Sequence, residues 1–354
     1  VKVQAGQRNS LTDVSGLLVG HHTALDPDAT LGSGAATGTT VVYAPGGATA
    51  AVDVRGGGPG TRETDVLDLA RTMRRANAIV LTGGSAYGLA AADGVMRWLE
   101  EHHEGIPMDP TDPSRVVPIV PGAVVYDLPL GAWDIRPTAE FGYQAAAAAS
   151  LDFERGVVGG GVGARAGSIK GGVGTASVVL GDGLAAGATV SALVVANAAG
   201  SVFDPRTGLP WGVGTDGPEH FGLRPPTAEQ LAQANALPAK SMRLNTTIGV
   251  VATDAPLDPI GCQRLAMTAH DGLARAIRPA HGPFDGDAFF ALSTGTWQPP
   301  AATFELPPAL PPDILMVDLL GTAAALCVER AIVDAILSAV SVGEVPAYSA
   351  LFPR

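Results

Sequence analysis

Apolar and polar positions along this chain change over in short blocks, most of them too brief for helices. Runs rich in β-branched residues at Val14 to His22, Thr39 to Tyr43, Thr49 to Val54, Ala78 to Leu81, Arg115 to Val120 and Ala123 to Leu128 read as strands. Pro45-Gly46-Gly47 stands between the second and third of these, which predicts a hairpin there. Further strands are predicted at Gly174 to Leu180, Ala188 to Ala196, Thr247 to Thr253 and Ala288 to Thr294. The first two of that group form a hairpin across Gly181-Asp182-Gly183. Helical spacing of apolar residues occurs at Thr64 to Arg74, Ser85 to His103, Thr138 to Ala149 and Pro259 to Ile277. It occurs again in a last helix that follows Ile314 to Leu320 and runs up to Val340. Ser201 to Leu237 has no periodicity beyond a short helix after Pro226 and reads as an exposed connection. Pro299 to Pro312 reads as a surface loop. Strands that are adjacent and turn-linked, with helices between them or at the end, favour a mixed sheet or two stacked sheets covered by helices. A doubly wound parallel fold fits less well.

Composition narrows the picture. The chain has 354 residues, with 46 Gly and 28 Pro, and only 5% of it is aromatic. Its core is therefore built from Val, Leu, Ile and Ala, whose small side chains let layers approach closely. A net charge of -12, with 22 Lys and Arg in all, excludes a phosphate-tracking surface and argues against a nucleic-acid partner. Cys262 and Cys327 fall in apolar helical patterns and act as small hydrophobes, not as a disulfide framework. Val1 to Ser10 carries no apolar signal segment, and the reading is a cytoplasmic protein. Leu319 to Val340 comes nearest to a membrane span, but Glu329, Arg330 and Asp334 interrupt it, which makes it an amphipathic helix.

Four stretches carry candidate chemistry. The glycine-rich runs Gly56 to Gly60 and Gly156 to Gly174 supply bare backbone. Neither has the spacing of a nucleotide-binding loop, and no cofactor is expected from them. Gly83-Gly84-Ser85-Ala86-Tyr87-Gly88 lies at a strand-to-helix turn. Ser85 is either a nucleophile on an elbow or the residue that caps the helix, and its second glycine comes one residue late for an elbow. Scattered histidines and Asp285-Gly286-Asp287 lack the pattern of a metal site. The fourth stretch is Arg243 to Thr253, a polar front followed by a β-branched run. Thr246 is either an ordinary strand-starting residue or a nucleophile exposed by cleavage of the Asn245–Thr246 bond. A threonine hydroxyl needs a base close by. Its own α-amine, once freed, supplies one with a pKa of about 8. Such a site calls for an accessible loop before the threonine, a rigid strand after it and oxyanion donors nearby. Asn197 at a strand end and Lys170 in a glycine-rich loop are candidate donors, or else a turn-forming Asn and a surface lysine.

Several motifs in one order decide between these readings. They are Asp53-Val54-Arg55-Gly56-Gly57, Leu81 to Leu89, Ala123 to Asp127, Ala164 to Lys170, Val194 to Asn197, Asn245 to Ile248 and Asp285 to Asp287. In this the chain resembles the self-processing aminopeptidases that also act as D-amino-acid esterases and amidases. The β-aminopeptidases and the nylon-oligomer (6-aminohexanoate) hydrolase are relatives, and the resemblance covers nearly the whole length. It implies one catalytic domain, 1–354, with a four-layer α-β-β-α sandwich like that of N-terminal-nucleophile hydrolases but connected differently. It also implies self-cleavage into chains 1–245 and 246–354, and an oligomer of the resulting heterodimers, often a tetramer. By position Thr246 becomes the nucleophile and Asn197 an oxyanion donor. Lys170, Asp285 and Asp287 fall among the polar residues around it, and Tyr126 and Ser85 line the pocket. The implied substrate is a small peptide or amide, handled with neither metal nor cofactor. Serine holds the nucleophile position in the aminopeptidase branch; the threonine here, with Asp285 and Asp287, sides with the nylon-oligomer branch. An acyltransferase of the ornithine acetyltransferase type and a non-catalytic oligomeric protein of the same fold are the alternatives.

Overall fold

The computed structural model describes residues 2–214, 216–238, 240, 245–299, 307, 309–311 and 313–353. Arg243 and Leu244, which open the stretch around Thr246, lie outside the described residues, as does most of the expected surface loop between Pro299 and Pro312. In chain order the strands are β1 (Val3–Ala5), β2 (Leu18–Leu25), β3 (Ala36–Val54), β4 (Thr61–Arg62), β5 (Arg75–Thr82), β6 (Ile106–Pro107), β7 (Val116–Val117) and β8 (Gly122–Val124). They continue with β9 (Arg165–Ala166), β10 (Ile169–Lys170), β11 (Gly172–Leu180), β12 (Thr189–Asn197), β13 (Thr246–Thr253) and β14 (Ala288–Ser293). The helices are α1 (Ala91–Glu101), α2 (Ala139–Ala147), α3 (Ala228–Asn235), α4 (Pro259–Ala276), α5 (Ile314–Leu337) and α6 (Tyr348–Leu351). Among the described residues no helix is long and apolar enough to cross a membrane.

Alternation along the strands sorts their side chains into three cores. Val190, Ala192 and Val194 of β12, Val251 of β13, and Phe289 and Ala291 of β14 pack against α4 and α5 through Cys262, Leu265, Cys327 and Ala331. Leu193, Val195, Ile248, Val250, Phe290 and Leu292 point the opposite way and meet Val42, Ile79 and Leu81 of β3 and β5. On the far side of those two strands, Val41, Tyr43, Ala78 and Val80 pack beneath Val95 and Leu99 of α1 and Ala145 and Ala146 of α2. The layers therefore run helix, sheet, sheet, helix.

One strand joins the two sheets. The strand order is β1-β11-β12-β13-β14-β3-β5-β8-β4, with β2 also paired to β3. The first part of β3 pairs with β2, while Thr49 to Val54 pairs with β14. The hairpin expected at Pro45-Gly46-Gly47 is instead a bulge inside this single 19-residue strand, where the register against β5 shifts between Tyr43 and Ala48. Gly46 and Gly47 both adopt left-handed φ (70° and 77°), which lets the strand bend without reversing. The Arg75 guanidinium donates to the carbonyls of both glycines, and the Gly46 N–H donates to Glu104 at 2.9 Å.

Two other expectations change. Thr64 to Arg74 forms a single 3-10 turn, Thr64–Leu67, because Leu67 is its one buried side chain and there is no apolar stripe to dock. The connection after Ser201 is packed more closely than its composition suggests. Val202, Phe203 and Leu223 are buried in the α4–α5 core, and Asp216 forms a two-point ion pair with Arg330 of α5 at 2.7 Å. Thr227 and Gln230 cap α3 reciprocally.

Candidate active site

Thr246 is the first residue of β13, a strand buried along its whole length between β12 and β14. Register places Thr246 directly across from Asn197, the last residue of β12. Residue 245, on the other side of the join, bridges to Asp285. The Thr246 hydroxyl donates to the carbonyl oxygen of Asn245 at 2.6 Å, and the Gly286 N–H donates to the same oxygen at 2.9 Å. One peptide carbonyl thus has two donors on it, a hydroxyl and a backbone N–H. A Cβ at Gly286 would lie 2.7 Å from Thr246 Oγ1, so only glycine brings this N–H so close. Thr246 and Asn245 are 5% and 2% exposed, so the join between them is buried.

Behind Thr246 the glycine-rich segment wraps two buried polar side chains. Asn197 accepts from the Arg165 N–H at 2.9 Å through Oδ1 and donates to the Tyr126 carbonyl at 3.2 Å through Nδ2. Tyr126 therefore meets the site through its backbone as well as through its position. Lys170 is fully buried. Its ammonium donates to the carbonyls of Gly161 (3.0 Å), Ala164 (2.7 Å) and Gly171 (2.9 Å), so its described hydrogen bonds hold the loop and do not go to Thr246. Burial pushes its pKa down to about 7, opposed by the charge of Asp127. Burial likewise pushes Asp127 up to about 6, although it accepts from the Gly84 N–H and the Thr37 hydroxyl.

The Asp285-Gly286-Asp287 segment closes the other side. Asp287 accepts from the Thr247 N–H at 2.7 Å and from His281 Nδ1 at 2.9 Å, so it anchors the residue that follows Thr246. Asp285 accepts from the Gly282 N–H at 2.5 Å. Burial, and then the neighbouring Asp287 charge, raises its pKa above the usual carboxylate range. The glycines at 56–58 explain themselves here. Gly56 N–H donates to the Asp287 carbonyl and Gly58 N–H to the Asp285 carbonyl, and a Cβ at Gly56 would stand 2.3 Å from Asp285 O.

Ser85 lies one step further out. It does not cap a helix: Gly84 holds that position, and no side-chain cap bond forms. Its N–H donates to the carbonyl of Val125, next to the Tyr126 carbonyl that Asn197 reaches. Sequence reasoning missed three groups at the centre. The Gly286 N–H sits inside a motif valued for its carboxylates. His281 orients Asp287. The third is Lys240, whose amine bonds to the side chains of both Asn197 and Asn245. A glycine between two acids was the available signal for the first; the other two contacts arise only from the fold.

Comparison with known proteins gives matches that span most of the chain. The model of peptidase family S58 matches residues 9–347. An uncharacterized aminopeptidase of Mycobacterium tuberculosis is 56% identical over 350 residues, which cover 98% of this chain and 98% of that one. A 6-aminohexanoate-oligomer endohydrolase of Kocuria sp. is 31% identical over 265 residues, covering 73% of this chain and 69% of that one. Among solved structures, the L-aminopeptidase D-Ala-esterase/amidase of Ochrobactrum anthropi superposes with a TM-score of 0.70 at 25% identity, covering 98% of this chain and 90% of that one. It is described as a prototype of the serine aminopeptidases and a new variant among the Ntn hydrolase fold. The helix–sheet–sheet–helix layering and a match over almost the whole chain lead to one identification: this chain belongs to peptidase family S58, as an aminopeptidase or amidase with the N-terminal-nucleophile hydrolase fold.

Proposed function

We propose that this chain is the precursor of an N-terminal-threonine amide hydrolase, which activates itself by cutting the Asn245–Thr246 bond. The observation that carries the reading is the pair of donors on the Asn245 carbonyl oxygen, the Thr246 hydroxyl at 2.6 Å and the Gly286 N–H at 2.9 Å. The hydroxyl stands beside the carbonyl it has to attack, and the amide is aimed at the oxygen on which charge develops. In self-cleavage, Thr246 Oγ bonds to the Asn245 carbonyl carbon and the bond from that carbon to the Thr246 nitrogen breaks. The hydroxyl proton ends on the released nitrogen, leaving an ester and a free amine. Water then hydrolyses the ester, giving a carboxylate on Asn245, a proton to solvent and the hydroxyl back on Thr246. The products are chains 1–245 and 246–354.

In the mature enzyme the new α-amine is the base. It takes the hydroxyl proton as Thr246 Oγ attacks the carbonyl of a small peptide or amide, and it passes that proton to the leaving amine. Water resolves the acyl-enzyme. Gly286 supplies one oxyanion donor. Asn197, across the strand pair, supplies another through the second hydrogen of its Nδ2, since the first is engaged by Tyr126. Asp285 and Asp287 hold the segment that delivers the Gly286 N–H. The heterodimers assemble further, into a tetramer.

Two variants test the reading. Thr246→Ala stays a single 35.7 kDa chain on a denaturing gel and is inactive on amino-acid p-nitroanilides, whereas Ser85→Ala still cuts. Normal cutting of Thr246→Ala, with loss of cutting in Ser85→Ala, would move the nucleophile to the Ser85 turn.

A further inference from the structure

Lys240 is five residues ahead of the scissile carbonyl, in a segment the catalytic scheme does not use. The residue is half-buried, yet its side chain runs inward and ends among four oxygens. Nζ donates to Asn197 Oδ1 (3.2 Å) and the Ala198 carbonyl (3.3 Å), and more closely to the Arg165 carbonyl and Asn245 Oδ1. All four are acceptors, and two belong to side chains flanking the scissile bond. Asn245 supplies the acyl group that is transferred, and Asn197 faces Thr246 across the strands. The Nδ2 of Asn245 has no partner among the described residues, so the Lys240 amine is the one described group that fixes this side chain's rotation.

Nothing in lysine's ordinary preferences accounts for this placement. The amine gives up water for a pocket that already contains Arg165 and is close to Lys170, and burial with those two charges drives its pKa well below the lysine range. Asp285 is the neighbour that opposes the shift. A surface lysine held by one weak contact would swing out to solvent. Four oxygens converging on one nitrogen keep it in.

We propose that the oxygens of Asn197, Arg165, Ala198 and Asn245 form a primary-ammonium site, filled by Lys240 of the same chain to position Asn245 for self-cleavage. The inference rests on the proposed cut at Asn245–Thr246. Lys240 takes no part in bond making; it is a positioning residue, and its effect is on how squarely the Asn245 carbonyl meets Thr246 Oγ.

Removing the amine and returning it from solution tests the idea. Lys240→Ala should slow self-cleavage roughly tenfold or more, as misplacement of a reacting group does. Ethylammonium chloride should restore much of the rate, while tetramethylammonium chloride, which has no N–H, should not. Lys240→Met fills the pocket with a chain of similar length but no donor; it should be equally slow and should not respond to ethylammonium. A second readout does not need the cut. Ethylammonium should raise the melting temperature of Lys240→Ala made in the Thr246→Ala background, and should leave that of Lys240→Met in the same background unchanged. Wild-type cleavage rates in Lys240→Ala or Lys240→Met, equal response to both salts, or no ethylammonium effect on either readout would overturn the proposal. If the wild type does not cut but the melting-temperature difference holds, the ammonium site stands and the self-cleavage reading falls.

Discussion

Gly286 shows how much of this site is made of backbone. Its N–H is held on the Asn245 carbonyl by the flanking carboxylates: Asp287 grips Thr247 and His281, while Asp285 closes on Gly282. Substituting Gly286→Ala would put a methyl 2.7 Å from Thr246 Oγ1 and 3.1 Å from the Gly58 carbonyl, so either the hydroxyl or the loop must move. We expect self-cleavage to slow by roughly tenfold to a hundredfold, with little change in melting temperature, as followed by band intensities on a denaturing gel over time. At this scale the sequence was legible where a contact joins residues inside short motifs. Thr246, Asn197, Asp285 and Asp287 stood out as polar residues at strand ends, and the fold brings them together. Lys170 was legible as a polar group near the site, but its hydrogen bonds go to loop carbonyls, which no spacing rule foresees. The Lys240 contacts stayed hidden for another reason: three separate chain segments, at Arg165, Asn197–Ala198 and Asn245, supply the oxygens, and only tertiary structure collects them.

Elements followed hydrophobic pattern closely where a pattern was strong and long. β11, β12, β13, β14 and α4 lie within a few residues of their expected positions, because each buries an unbroken apolar face, and α5 ends near its expected end but takes in the Ile314 to Leu320 stretch that was expected to precede it. The hairpin expected around Pro45-Gly46-Gly47 did not form, since a turn signal reports backbone freedom and not direction. Two glycines with positive φ serve a bulge as well as a reversal, and the choice was made by β5 running alongside both halves of β3. Close approach of helices is a second property that pattern does not reveal. α1 and α2 cross where Gly94 meets the Ala139 carbonyl and Gly142 meets the Ala91 carbonyl; a Cβ at either glycine would stand less than 2 Å from that oxygen (1.6 and 1.8 Å). Gly142→Ala should therefore push the pair apart and cost about 1–3 kcal/mol, measured as a lower urea midpoint. Because this crossing is in the outer helical layer opposite α4 and α5, the variant should still cut itself.

For the whole molecule, the strand order matters more than the layer count. β13 and β14 are on the 246–354 side of the proposed cut, and they lie between β12 and β3, both from the 1–245 side. Eight residue pairs join β12 to β13 and six join β14 to β3, so each border is a full antiparallel ladder. α4 and α5 add a shared apolar core beneath them. After cutting, the two chains should elute from a sizing column as one species, at the size of the assembled oligomer. They should separate only in denaturant. Elution of the 246–354 chain by itself under native conditions would contradict the packing.

That insertion also fixes an order of events in time. Thr246 Oγ is beside the Asn245 carbonyl by sequence alone, but the Gly286 N–H reaches that carbonyl only when Asn245 and the Asp285–Asp287 segment are in register at the head of β13 and β14. A nascent chain that has not yet reached Asp287 carries the Asn245–Thr246 bond as an ordinary, stable amide. The proposed cut would therefore be a record that the sheet has been completed, with the amine of Thr246 uncovered only in molecules that have already passed that check.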